Sequence, residues 1–455
     1  MTESSNFTRR TALWAAGLGG AFSLAGFPAL SDGTRAALAR AAYIWGLPLV
    51  QTRLYLKLMR QRSLPLNQFF VAPRLATPAD KGMGAPNVDT LYGVAWLDLI
   101  AQPQIFSVPD THDRYYAVQF IDAYENSFRY VGRRTTGTKA GHFAIVGPDW
   151  SGRLPEGVTR IAAPTKTVCL FSRTLVESEA DLPAALAVQA GYTLTTLSDY
   201  PRIDRPVRLL NNPASLISAL HAEKLGIAYF DELSAALVEY PPPASDQNFV
   251  NSLAVLGIGP GETPSRTDDK QLQNILAAAV VSANAEIRQR FTTGATYVNG
   301  WRVRYGIESF IADPLERASE NVFGIGYNVA EEGLFFFGTT GSDGKPLSGE
   351  KNYTLSFSAG NLPPVSGFWS VTLYGLDWYF HANPINRYAI GDRTSGLHHT
   401  PGGGLQIFIQ NAAPVSGTSN WLPAPVGPFM LAFRTYQPQA PLINGTYKLP
   451  PIVLA

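Results

Sequence analysis

Phe368-Trp369-Ser370-Val371-Thr372-Leu373-Tyr374 is the stretch that decides the fold of this chain. Trp369, Val371 and Leu373 fall at every second position, which is the period of a β-strand, and Ser370 and Thr372 stand between them. Such alternation is typical of a sheet that packs one face on a core and leaves the other in solvent. We therefore expect a strand here with one wet face.

Similar apolar or alternating runs occur in two groups, one between residues 89 and 161 and the other after residue 292. They are 94–97, 115–120, 142–146, 335–337, 353–357, 405–410 and 429–433. Apolar residues at helical spacing occupy 33–62, 182–197, 213–237 and 268–291. Pro48 is expected to kink or split the first of these helices because it lacks a backbone donor.

The order of strands, helices and strands predicts a mainly β fold with helical segments. We expect two jelly-roll or β-sandwich-like domains plus a helical insert. The corresponding boundaries are 32–205 for an N-terminal β-rich domain, 206–295 for a helical connecting region and 296–455 for a C-terminal jelly-roll-like domain.

The first residues indicate where the protein works. Arg9 and Arg10 directly precede an uncharged apolar run, residues 13–30, which is the order of a twin-arginine-type signal peptide. Glycines and Pro28 make the same run a poor membrane span. We predict that residues 1–31 are a signal and that the protein is periplasmic or secreted, with no membrane span after signal removal.

Composition excludes several classes of protein. Lysine and arginine total 36 against 35 aspartates and glutamates, so no strong field favours nucleic acid. Cys169 is the single cysteine, which excludes an internal disulfide, and its apolar neighbours predict a buried side chain. The six histidines show no ligand spacing, and His398-His399 beside a glycine-rich turn predicts an exposed turn tip. No cofactor or metal site is predicted, and the sequence leaves metal content open.

Two polar segments in the first β region are candidates for a site. Asn87, Asp89 and Tyr92 either form a turn that starts a strand or stand at the mouth of a cavity, where Asp89 moves a proton and Asn87 holds a substrate oxygen. Asp122 ends an otherwise apolar strand face, either as a strand-end cap or as a carboxylate aimed into a pocket.

The densest polar cluster is residues 378–393. Arg387 and Arg393 with Asp392 form either a structural ion pair that holds a long loop or a fork for a substrate carboxylate or sulfate. In the second case the aromatic rings of the cluster are walls, and asparagines shape its turns. The rings are Trp378, Tyr379 and Tyr388, and the asparagines are Asn383 and Asn386.

These motifs resemble two bacterial domains of unknown function. Residues from about 40 to 200 are similar to DUF1254, on the strength of 87–92, 114–116, 130–134 and 147–150. Residues from about 330 to 453 resemble its usual companion DUF1214, on 352–353, 363–365, 368–370, 383–388, 391–393 and 420–423. The resemblance implies two β-rich, jelly-roll-like domains in exported or envelope proteins, and it implies no settled activity.

Taken together, the sequence predicts an exported enzyme, a hydrolase of a small organic molecule. Asp89 or Asp122 is the expected general base, Tyr92 and Tyr388 donate hydrogen bonds, and Arg387 orients the substrate. The expected ligand-binding residues are Asn87, Trp378, Tyr379, Asn383, Asn386, Asp392 and Arg393. One alternative is a non-catalytic carbohydrate- or lipid-binding protein, and another is a structural or assembly protein; a homo-oligomer is possible in each case.

Overall fold

The computed structural model describes residues 30–321 and 324–455. The predicted signal lies outside the described residues except for its last two, Leu30 and Ser31. Ser31 starts the first helix as its N-cap, where its hydroxyl accepts the Thr34 N–H at 3.2 Å. None of the helices in the described ranges has the length and apolar character needed to cross a bilayer.

The first ten strands form two sheets. They are β1 Phe70–Val71, β2 Thr90–Asp98, β3 Gln104–Val108, β4 Tyr116–Asp122, β5 Ser127–Gly132, β6 Gly141–Val146, β7 Val158–Ala162, β8 Thr167–Leu175, β9 Thr193–Thr196 and β10 Arg208–Leu209. A six-stranded sheet in the order β10-β1-β2-β8-β4-β5 faces a four-stranded sheet in the order β7-β6-β3-β9. Tyr116, Val118 and Phe120 of β4 point into the core between them, as the strand period predicts. Cys169 of β8 is fully buried, as expected.

The last ten strands repeat this arrangement. They are β11 Thr296–Val298, β12 Trp301–Val303, β13 Gly333–Gly338, β14 Tyr353–Phe357, β15 Val365–Gly375, β16 Ala389–Gly391, β17 Leu405–Gln410, β18 Trp421–Pro423, β19 Phe429–Pro438 and β20 Ile452–Leu454. Their sheets have the orders β11-β12-β13-β19-β15-β16 and β18-β17-β14-β20, with an apolar core between them. The predicted mainly β fold with two sandwich-like units is confirmed.

The helices gather mostly outside the sandwiches. They are α1 Asp32–Gln61, α2 Leu182–Ala190, α3 Ala228–Glu239, α4 Gln247–Ser252, α5 Lys270–Thr293, α6 Pro314–Glu320 and α7 Ala440–Ile443. One apolar cluster joins α1 to α3, α4 and α5. The helical layer therefore combines a helix that precedes the first sandwich in the chain with helices that follow it. Gly46 makes this packing possible, because a Cβ there would lie 2.5 Å from a methyl carbon of Leu233.

Three helix predictions need correction. Pro48 does not split α1, which is one continuous helix of 30 residues. The helix expected over 182–197 ends at Ala190, and Thr193–Thr196 forms β9 at the edge of a sheet instead. The expected helix 213–237 is broken into short 3₁₀ turns, and regular helix begins only at Ala228. The helix expected over 268–291 is confirmed as α5, with Asp269 as its N-cap.

The outer faces of the two six-stranded sheets lie against each other. Tyr115 and Tyr130 of the first sandwich share a buried cluster with Phe368 and Tyr436 of the second. The second sheet therefore covers the face of β15 that was expected to be wet, and Phe368 through Tyr374 are all buried. The prediction of one exposed face for this strand is wrong. We call the contact between the two six-stranded sheets the seam.

Candidate functional site

Asn87 shapes the entry to β2. Its Oδ1 accepts the N–H groups of Asp89 at 2.9 Å and Thr90 at 2.8 Å, so the segment is an Asx turn, the first of the two alternatives. Its Nδ2 donates to the phenol oxygen of Tyr436 on β19 at 3.0 Å. Asn87 is 2% exposed and joins the two sandwiches as well as forming the turn.

Asp89 is the residue that connects the two predicted polar segments. Its Oδ1 accepts Arg393 Nη2 at 2.8 Å, and its Oδ2 accepts the Ser370 hydroxyl at 2.6 Å. Arg393 also donates through Nη1 to Asp392 at 2.7 Å and lies 4.1 Å from the centre of the Phe368 ring. Of the predicted set, Asp89, Asp392 and Arg393 thus meet at the seam. Both oxygens of Asp89 are engaged by groups from the second sandwich.

The environment of Asp392 opposes its ionisation. Burial raises its pKa to about 6, although the guanidinium of Arg393 pulls it in the other direction. Arg393 therefore forms ion pairs with two carboxylates, of which Asp89 is the more deeply buried.

A cleft opens beside this ion pair, with a volume of about 230 Å³. We call it the Asp89 cleft; Leu75, Val88, Asp89, Val176, Glu177, Ser178, Glu179, Ala389, Gly391, Arg393, Thr394 and Ser395 line it. Its walls come from the start of β2 and the segment after β8 on one side, and from β16 and the loop after it on the other. The cleft therefore lies at the seam between the sandwiches, and its polar lining offers carboxylates, hydroxyls and one guanidinium.

Tyr92 does not share this cleft. The strand period turns Thr90 and Tyr92 to the other face of β2, where they line a separate hollow of about 20 Å³ with Asn211 and Asn212. The Tyr92 hydroxyl accepts the Asn87 N–H at 3.0 Å, and burial raises its pKa. The expectation that Tyr92 donates to the same substrate as Asp89 is corrected accordingly.

Asp122 lies far from Asp89. It pairs with Val168 on β8, whereas the Asp89 carbonyl accepts the Val176 N–H, so eight residues of one strand, or about 26 Å, separate them. The Asp122 carboxylate accepts the N–H groups of Tyr124 and Asn126, both at 2.9 Å. It is a strand-end cap, the first alternative, and its role as a base in a shared site is corrected.

Arg387 holds a loop of its own sandwich. Its Nη1 donates to the carbonyls of Ser419 and Trp421, both at 3.0 Å, and to that of Thr418. Asn383 braces the same turn, because its Oδ1 accepts the Arg387 N–H at 3.1 Å. Arg387 does not line the Asp89 cleft, so its expected role in orienting a substrate there is corrected.

The aromatic side chains of the cluster fasten a loop rather than line the cleft. Tyr379 donates its hydroxyl to the Lys81 carbonyl at 2.7 Å, and the Trp378 carbonyl accepts the Ala85 N–H at 2.8 Å. Tyr388 stacks on Phe380 with ring centres 5.1 Å apart and donates to Asn386 at 3.1 Å. Trp378, Tyr379 and Tyr388 therefore do not form walls of the Asp89 cleft, and a hydrogen bond from Tyr388 to a substrate stays a prediction.

A second cation is buried along the seam and escaped sequence reasoning. Arg434 of β19 is 3% exposed and donates to Thr372 Oγ1 at 3.0 Å, to the Ala85 carbonyl at 2.7 Å and to the Tyr374 hydroxyl at 2.7 Å. It forms no ion pair within residues 30–321 and 324–455. The available signal was an arginine directly after the apolar run 429–433, because arginine is seldom buried without a partner. Ser370, Glu177 and Glu179 were also missed.

The histidines take no part in the cleft. His398 and His399 are exposed, as expected for a turn tip. In the described ranges, no three His, Cys, Asp or Glu side chains come together as metal ligands would.

The fold and the seam define a class of protein: two β-sandwiches that meet through a polar, partly open interface. Residues 66–196 match the family model described as "Protein of unknown function (DUF1254)", and residues 332–440 match "Protein of unknown function (DUF1214)". The chain belongs to the proteins that carry these two domains, as its motifs predicted.

A solved structure agrees on the fold. The chain is similar to the crystal structure of the VPA0106 protein from Vibrio parahaemolyticus, with a TM-score of 0.70 and 24% identity over 92% of this chain and 100% of that one. It is also similar to an uncharacterized protein from Burkholderia cenocepacia, with a TM-score of 0.45 and 11% identity over 93% of this chain and 94% of that one. The comparison with curated protein sequences gave no match.

Proposed function

We propose that this protein binds a small, hydroxyl-bearing organic molecule in the Asp89 cleft. The observation that carries the proposal is the Asp89–Arg393 pair, whose carboxylate and guanidinium both line the cleft and lie 2.8 Å apart, one from each sandwich. Ser178, Thr394 and Ser395 add hydroxyls around it. Fixed acceptors and donors beside an opening of about 230 Å³ suit a molecule about the size of a monosaccharide.

Binding is a better fit to this geometry than hydrolysis by Asp89. Each Asp89 oxygen accepts one hydrogen bond within the protein and keeps a further lone pair, so the carboxylate suits a fixed acceptor for ligand hydroxyls. Ser370 is fully buried, which argues against its use as a nucleophile.

Hydrolysis remains the second candidate because of two other carboxylates. Glu177 and Glu179 line the cleft, are exposed, and accept no side-chain hydrogen bond from the part of the chain that the structure describes. Either one is free to activate a water molecule over a bound substrate.

We also propose that the protein works in the periplasm after export through Arg9 and Arg10. Replacing both by lysine, R9K with R10K, should leave the protein in the cytoplasmic fraction. The full chain followed by fractionation and immunoblotting tests this. Periplasmic accumulation of the double variant at the wild-type level would contradict the proposal.

Ligand binding is tested by thermal stabilisation of the purified protein against a panel of monosaccharides and polyols, followed by calorimetry. Asp89→Asn keeps the shape of the side chain and removes its charge, and it should weaken binding at least about 10-fold, a change of about 1.4 kcal/mol. Asp268→Asn, at an exposed position where the side chain forms no hydrogen bond or ion pair in the described ranges, is the matched control. A ligand that binds wild type and Asp89→Asn equally would contradict the assignment of the cleft. Mass spectrometry of the same mixtures separates the candidates, because a product peak supports the hydrolase.

A further inference from the structure

The lining of the Asp89 cleft carries an excess of negative charge. Asp89, Glu177 and Glu179 are acidic, and Arg393 is the one basic residue that lines this cleft. The charge of Arg393 is already shared between Asp89 and Asp392, at 2.8 and 2.7 Å. No positive charge in the lining is left over for Glu177 and Glu179.

Arg114, on the same side of the seam, is also engaged. Arg114 donates to both oxygens of Asp181, at 2.5 and 2.7 Å, and to the Leu175 carbonyl at 2.8 Å. Asp181 in turn accepts the backbone N–H of Glu177 at 2.9 Å. The segment 177–179 is thus held in place through its backbone, while its two glutamate side chains form no ion pair with any residue the structure describes.

We propose that Glu177 and Glu179 select the ligand by charge and that the cleft takes a hydroxylated molecule with a positively charged amine. This inference rests on the proposed function. A cleft with walls of low dielectric constant concentrates the field of its charges, so it raises the local concentration of cations and repels anions. Arg393 already donates to Asp89 and Asp392 through its two terminal nitrogens, so a ligand carboxylate or sulfate would compete with these aspartates for the guanidinium.

Three six-carbon probes that differ only at one end test the charge preference. Glucamine, sorbitol and gluconate are cationic, neutral and anionic at about pH 7. Calorimetry with the purified protein should rank their affinities in that order. Each step should be about 3- to 5-fold, as for exposed ion pairs, and high salt should weaken glucamine binding only.

The double variant E177Q with E179Q should bring the affinities of the three probes together and leave sorbitol binding within about 2-fold. The matched control is E156Q with E350Q, which removes two exposed carboxylates that do not line the cleft. Circular dichroism and the melting temperature of each variant verify that it folds.

The outcomes separate the inference from the proposed function. Equal affinity for the three probes, or tightest binding of gluconate, overturns the charge selection and leaves polyol binding in place. Failure of all three probes to bind at millimolar concentration contradicts the proposed function, and the charge selection then fails with it. Loss of the glucamine preference in the control pair would show a long-range charge effect and would also overturn the role of Glu177 and Glu179.

Discussion

Asp89 and Arg393 lie 304 positions apart in the chain and meet at 2.8 Å across the seam between the two sandwiches. Their side chains are 7% and 19% exposed, so water does little to weaken their attraction. Asp89 lies in the Asx turn at Asn87, and Arg393 is the second residue after β16. The pair therefore couples the start of a strand in one sandwich to a loop of the other.

Removing either partner should destabilise the protein, because the other charge is left buried without its counterion. We expect Asp89→Asn and Arg393→Gln each to cost about 2–4 kcal/mol in urea unfolding, and the double variant to cost clearly less than their sum. Lys139→Ala is the control, since Lys139 pairs with Asp110 at 3.0 Å while 87% exposed, and it should change nothing measurable. Additive costs in the double variant would contradict the coupling.

Arg387 should matter for stability and not for ligand binding. Its guanidinium is bonded to backbone carbonyls of the loop at Thr418–Trp421. Arg387→Ala leaves these carbonyls without a donor and should cost about 1.5–3 kcal/mol, with the affinity for any cleft ligand unchanged. Arg387→Lys should recover only part of the stability, because an ammonium cannot reproduce the arrangement of the guanidinium donors. A loss of affinity without a loss of stability would restore its predicted role in the site.

The sequence predicted the strands well where a run had a core on one side only. The predicted runs 353–357 and 405–410 match β14 and β17 at both ends, and both strands alternate in burial over most of their length. It failed for β15, because the face expected to be wet is covered by the other sandwich, and no local pattern encodes that contact.

The site was predicted in outline and not in detail. The expectation that a carboxylate of the first β region meets an arginine of the 378–393 cluster holds for Asp89. The arginine is Arg393 rather than Arg387. Arg387 precedes β16 and bonds to a loop of its own sandwich, whereas Arg393 follows β16 and reaches Asp89 at the seam. Asp122 was grouped with Asp89 since both lie at strand ends, yet only the sheet order reveals that they are at opposite ends of β8.

Asp392 should give the stability of the protein a component that falls with increasing pH. Its pKa in the folded protein is about 6, above the ordinary value of 3.8, so between these values the folded state holds a proton that the unfolded chain has released. Stability is therefore greatest below about pH 4 for this group and declines toward about pH 6. Because its side chain is 29% exposed, solvent limits the effect to about 1 kcal/mol. Urea unfolding from pH 4 to pH 7 should give a flatter profile for Asp392→Asn than for wild type, and parallel profiles would contradict this.

Glu125 should be the clearest case of a residue that limits stability at neutral pH. It lies in the turn between β4 and β5 with a φ of 62° and is 1% exposed. With the Gln51 amide oriented so that its NH2 group faces the carboxylate, it donates to the Glu125 oxygens at 2.8 and 3.2 Å. Burial raises its pKa well above the ordinary value, although Arg317 draws it down, and the nearby Asp122 adds to the rise. A raised carboxyl pKa means that stability is fully present at acid pH and is lost as the pH rises toward the folded-state pKa.

Glu125→Gln removes that ionisation and keeps a side chain of the same shape that still hydrogen-bonds to Gln51. We expect the variant to be more stable than wild type by about 1 kcal/mol at pH 8 and to approach it at pH 5. Glu156→Gln, at an exposed position, is the control and should follow the wild-type profile throughout. Urea unfolding at several pH values measures this. A variant that is less stable than wild type at pH 8 would mean that the ionised carboxylate is needed where it lies, with Arg317 as its counterion.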